Sequence, residues 1–65
     1  MNIIKNYGNY CYSDESPSGE KLNGFAVYYW DANIGGWAYL VTMQDEFQAS
    51  FYAKRRQASY EEWMK

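Results

Sequence analysis

The sequence predicts an α+β fold: a three-stranded antiparallel β-meander followed by one C-terminal α-helix, in the order β-β-β-α. Three observations point there. Two runs of strand formers, Gly24–Asp31 and Gly36–Met43, flank a turn-rich segment. A third strand-like run precedes the loop-forming stretch Ser13–Glu20. After Asp45 the composition changes to helix formers, with Phe47, Phe51, Lys54 and Ala58 on one stripe.

Taken in order, the first strand is expected from about Tyr7 to Tyr12, where aromatic residues cluster around Cys11. Ser13–Glu20 carries Pro17, the only proline, together with Gly19, and reads as a surface connection. Between the next two strands, Asp31-Ala-Asn-Ile-Gly-Gly36 supplies a turn-initiating Asp, then Asn, then Gly for the left-handed position. These strands therefore form a β-hairpin. The helix is expected over Glu46–Ala58, with Thr42 or Asp45 as N-cap, acid in its first turn and Lys54, Arg55 and Arg56 toward its end. Ser59-Tyr-Glu-Glu62 reads as a second capping box, so Tyr60–Lys65 is expected as a separate turn or a bent continuation.

A four-residue hairpin loop, Ala32–Gly35, sets Trp30 opposite Trp37, Tyr28 opposite Tyr39 and Ala26 opposite Val41 on one face of the sheet. Phe25, Val27 and Tyr29 then share the other face with Thr42, Leu40 and Ala38. Both faces are apolar, and one helix covers one of them. The smaller, more aliphatic face is the expected bed for Phe47 and Phe51. Tyr28, Trp30, Trp37 and Tyr39 are then left outward as a candidate binding surface, with Tyr10 or Tyr12 beside them. Two blander accounts compete: aromatic cross-strand pairs can serve sheet stability alone, and Trp63 and Met64 could fold back over this face. A three-residue loop would shift the register by one and mix the faces.

Length and composition constrain function. Sixty-five residues make one domain, 1–65, with a marginal core that calls for a staple, a metal, an oligomer or dense packing. Cys11 is the only cysteine, so no intrachain disulfide forms and a cytoplasmic setting is expected. With 22% aromatic and 48% hydrophobic residues the chain is not of the disordered class. The N-terminus has no apolar h-region, and the longest uncharged run, Ala32–Gln44, is too short to span a bilayer. The chain begins at Met1 and reads as a complete small gene product, of the size and character common among phage or mobile-element accessory proteins.

Catalysis is not expected. Histidine is absent, Cys11 has no imidazole to activate it, and a thiol in such a sequence is most simply a small buried residue. The acid pairs Asp14-Glu15, Asp45-Glu46 and Glu61-Glu62 are sequential neighbours, and on a helix such neighbours do not face each other. No cofactor is implied, and no metal either. Asp31 and Asn33 have the spacing of the first calcium-loop ligands, yet Gly35 and Thr42 occupy the fifth and twelfth positions, and turn chemistry explains the segment.

Nucleic acid is the rival ligand. The sheet aromatics could stack bases while Lys54, Arg55 and Arg56, with Lys5 and Lys21, hold phosphates, although the net charge is −2. The mirror image, carboxylates at Asp14, Glu15, Glu20, Glu61 and Glu62 imitating phosphates, is diluted by six basic residues. The reading favoured is a small non-catalytic protein-interaction module that regulates or inhibits a larger partner through the aromatic sheet face, with homodimerisation through that face as one form.

Overall fold

The sheet has four strands, not three. A computed structural model describes residues 1–64, with β1 at Ile3–Asn6, β2 at Tyr10–Glu15, β3 at Lys21–Asp31, β4 at Gly36–Met43 and α1 at Glu46–Trp63. The strands are antiparallel and lie side by side in chain order. The expected first strand, Tyr7–Tyr12, is split by a hairpin turn. Asn6 Oδ1 accepts a 2.7 Å bond from the Gly8 amide, the Tyr7 amide donates to the Tyr10 carbonyl, and Gly8 takes φ +126°, which a side chain would oppose.

The β3–β4 hairpin has the expected four-residue loop. The amides of Ile34 and Gly35 donate to the Asp31 carbonyl, and the Asn33 amide donates to Asp31 Oδ1. Trp30 accordingly pairs with Trp37 and Tyr28 with Tyr39. Beyond them the register shifts: Val27 pairs with Val41 and Ala26 with Thr42, correcting the expected Ala26–Val41 pair. Leu40 is the extra residue of a β-bulge, so Leu40 and Val41 both pack with the helix-side cluster and Thr42 passes to the opposite face.

Asp45 is the N-cap of α1, its side chain accepting from the Phe47 amide at 2.8 Å. Of the two forms expected beyond Ser59, a separate turn or a continuation, the chain takes the continuation. The helix runs through Ser59, bridged by a bond from Gln57 Nε2 to Glu61 Oε2, and the last described turn ends at Met64. Lys65, the final residue of the expected separate turn, lies outside the described residues. The basic triplet 54–56 is therefore in the middle of the helix rather than in its last turn.

The helix lies mainly across β2 and β3, with a lighter contact on β4. Its inward residues are small or polar. Ala49 and Ala53 are fully buried against Tyr12 and Val27. Tyr12 Oη donates to Glu46 Oε2 at 2.9 Å, Tyr7 Oη and Ser50 Oγ share a short bond, and Gln57 Oε1 accepts from the Asn9 amide at 2.7 Å. Apolar residues are spread around the helix rather than gathered on one stripe, so Phe47 and Phe51, expected beneath it, point away from the sheet. Tyr10 and Tyr12 belong to the helix-side cluster, not the opposite face.

Candidate binding surfaces

The sheet face away from the helix is built on a second buried cluster of Cys11, Ala26 and Tyr28, with Ile3, Leu22 and Trp37 packed around it. Cys11 sits opposite Tyr28 on the neighbouring strand, and burial pushes its thiol up from the usual 9.0 to about 11. Tyr28 is 1% exposed, which corrects its place in the expected surface. β1 adds Ile3 to this side, and the Tyr28 hydroxyl donates to the carbonyl of Glu15, the last residue of β2, at 2.6 Å. The phenol is thus a satisfied core group, with its pKa raised by burial first.

Above that floor three aromatic rings remain accessible to different degrees. Trp30 is 44% and Tyr39 49% exposed, while Trp37 is half-buried between Trp30 and the Tyr28 cluster. The indoles of Trp30 and Trp37 meet edge to face at 5.4 Å, and Tyr39 meets Tyr28 edge to face at 6.1 Å. The Tyr39 hydroxyl bonds Thr42 Oγ1 at 2.7 Å, a contact that the bulge permits by bringing Thr42 to this face. The result is a rigid aromatic ledge near the β3–β4 turn, where Ile34 is also exposed. The expected contact set therefore reduces to Trp30 and Tyr39 at the surface, supported by Trp37 and Tyr28.

A second apolar surface was not foreseen. Met43, Phe47, Gln48, Phe51, Tyr52, Arg55 and Arg56 line an open groove of about 520 Å³ along α1. Phe47 is 76% and Phe51 53% exposed. The signal for this flank is the pair Ala49 and Ala53, whose i, i+4 spacing marks the true inward stripe and leaves the phenylalanines off it. A smaller hollow lies at the other end of the helix among Tyr10, Arg56, Ser59, Tyr60 and Trp63. Trp63 is 81% exposed and does not cover the sheet face.

The basic residues do not converge. Arg55 lies over the Phe51 ring at 5.8 Å, and Arg56 lies between Tyr10 and Tyr52 at 5.8 and 5.9 Å. Lys5 stands over Tyr7, and Lys21 is 3.8 Å from Asp14. Lys54, Arg55 and Arg56 are on the helix layer, whereas Trp30, Trp37 and Tyr39 are on the opposite side of the sheet. Among the described residues no three His, Cys, Asp or Glu side chains gather closely enough to hold a metal ion. No helix among them is long and apolar enough to cross a membrane. Comparison with protein families, with curated proteins and with solved structures finds no match for this chain.

Proposed function

We propose that this chain is a non-catalytic protein-interaction module that acts by seating the aromatic ledge of its uncovered sheet face on a larger protein. The observation that carries the reading is the pairing of accessible Trp30 and Tyr39 with a fully packed floor of Tyr28, Ala26 and Cys11. Rings held by such packing lose little further entropy on docking, and each brings large area with a polar handle. Regulation or inhibition follows from occlusion of whatever site the partner presents. A nucleic-acid ligand is less well served, because one strand would have to reach stacking rings and guanidinium groups on opposite layers.

The test is affinity capture with the tagged chain from its native cell, followed by titration of the purified captured protein. Trp30→Ala combined with Tyr39→Ala should weaken that titration by at least about 2 kcal/mol, the hot-spot scale, with an unchanged circular dichroism spectrum. Full-strength binding by the double variant would rule out the ledge. A parallel titration with single-stranded DNA should show no steep salt-dependent binding.

A further inference from the structure

The free edge of β4 carries a row of backbone hydrogen-bonding groups that is symmetrical about one residue. We propose that this edge pairs with the same edge of a second copy of this chain, antiparallel and two-fold about Ala38, so that two sheets join into one. Three observations select this occupant.

The first is where the backbone groups point. β4 is the last strand of the sheet and pairs with β3 alone. The Trp30 amide donates to the Asn9 carbonyl at 2.8 Å, on the β2 side of β3. Along an antiparallel strand the N–H and C=O groups turn alternately to one neighbour and to the other. Trp30 and Tyr28 therefore address β2, and Trp37 and Tyr39, directly opposite them, turn their groups away from β3 to the free edge. Such a row of donors and acceptors fits extended backbone, the chemistry of strand addition. With the axis at Ala38, Trp37 stands opposite Tyr39 of the second copy and Tyr39 opposite its Trp37. Both pairs are of the kind that exchanges two bonds, so each outward amide and carbonyl finds a partner.

The second is what the side chains do in that register. Trp37 lies beside Tyr39 of the second copy on the ledge side, next to the edge-to-face contact of Trp30 with Trp37. On the other face Ala38 meets Ala38, and neither bulk nor charge opposes the approach. The helix lies mainly across β2 and β3 and leaves this edge clear. No residue of β4 is buried, in contrast to β2 and β3.

The third is closure. The eight residues of β4, GWAYLVTM, contain no charge and no proline. The opposite edge, β1, is four residues long, carries Lys5 and has a broken register, features that blunt an edge. The bulge at Leu40 ends the regular part of β4, and in the proposed register it falls opposite Gly36 of the second copy, where no side chain obstructs it. Each copy thus has one edge fit for pairing, and a two-fold dimer uses both, giving a closed pair instead of a filament.

Sedimentation equilibrium of the full chain from micromolar to millimolar concentration should show the mass rising from 7.7 kDa toward twice that value. Over the same range the Trp37 and Tyr39 amides should slow in hydrogen exchange by at least about tenfold, and the Ala38 amide, turned to β3 in either state, far less. Ala38→Lys and Ala38→Glu each set like charges across the axis and should be monomeric with native circular dichroism. Mixed in equal amounts, the two variants should associate at least about tenfold more tightly than either alone. A wild-type monomer at millimolar concentration, a dimer whose Trp37 and Tyr39 amides stay in fast exchange, or a mixture no tighter than its parts would overturn the proposal. If either variant fails to fold, the exchange of the unaltered chain decides. Trp30→Ala should leave the dimer intact while weakening the titration of the captured protein, so the edge and the ledge can fail separately.

Discussion

Individual side chains divide here into floor and contact. Trp37 is wedged between Trp30 and the buried cluster around Tyr28, whereas Trp30 has one face open. Trp37→Ala should therefore cost roughly 2–4 kcal/mol in urea denaturation, and Trp30→Ala about 1 kcal/mol, the difference being the buried part of the ring. Cys11 and Tyr12 give a second expectation at this scale. Burial raises the thiol from 9.0 to about 11, and burial, then the bond to Glu46, raise the Tyr12 phenol from 10.0 to about 12. Both groups keep their protons more tightly folded than unfolded. Their contribution is complete below pH 9.0 and is lost as pH climbs through the interval toward 12. Urea midpoints should hold up to about pH 9 and fall steadily above it, and native Cys11 should resist alkylation until the chain is unfolded. A midpoint that stays level to pH 11 would show that neither group is desolvated as described.

At the scale of elements, the chemistry of turns was readable and the packing of alanines was not. Asp31, Asn33 and Gly35 fix the hairpin loop, and with it the Trp30–Trp37 and Tyr28–Tyr39 pairs, because a turn is decided by residues adjacent in sequence. The same kind of signal at Asn6-Tyr-Gly-Asn9 marks the β1–β2 turn, but β1 is only four residues long and merges with the run of aromatics after it. The bulge at Leu40 has no local signature, and beyond it the two strands approach closely. A Cβ on Gly24 would lie 2.6 Å from the Met43 carbonyl oxygen, so β3 meets the end of β4 at a distance that only glycine allows. Gly24→Ala should destabilise the fold by about 1–3 kcal/mol through this collision, seen as a lower urea midpoint with an unchanged slope. Of the expected site, Trp30, Trp37 and Tyr39 fell on the predicted face because period-two alternation survives between the turn and the bulge. Tyr28 is on that face too, and is covered because β1, absent from the expected sheet, adds Ile3 to it.

The molecule as a whole is two thin layers held at the distance that alanine sets. Ala49 and Ala53 bring α1 close enough for Tyr7, Tyr12 and Asn9 to reach Ser50, Glu46 and Gln57, so the layer is fastened by hydrogen bonds as much as by apolar contact. That spacing leaves no room for a ring at Ala49 or Ala53 between the layers, and Phe47 and Phe51 stand outside it. The arrangement inverts the usual relation between size and stability. Ala53→Leu, a gain of apolar bulk, should lift the helix, stretch the Tyr12–Glu46 and Asn9–Gln57 bonds and cost about 1–3 kcal/mol. Phe51→Ala, a large deletion, should cost less than Ala53→Leu, about 1 kcal/mol, since half of that ring stays in water after folding. Urea denaturation of both variants checks the order: the Ala53→Leu midpoint should fall below that of Phe51→Ala. If Phe51→Ala were instead the costlier change in the dilute monomer, the ring would be part of the interior and the helix would be docked by its phenylalanines.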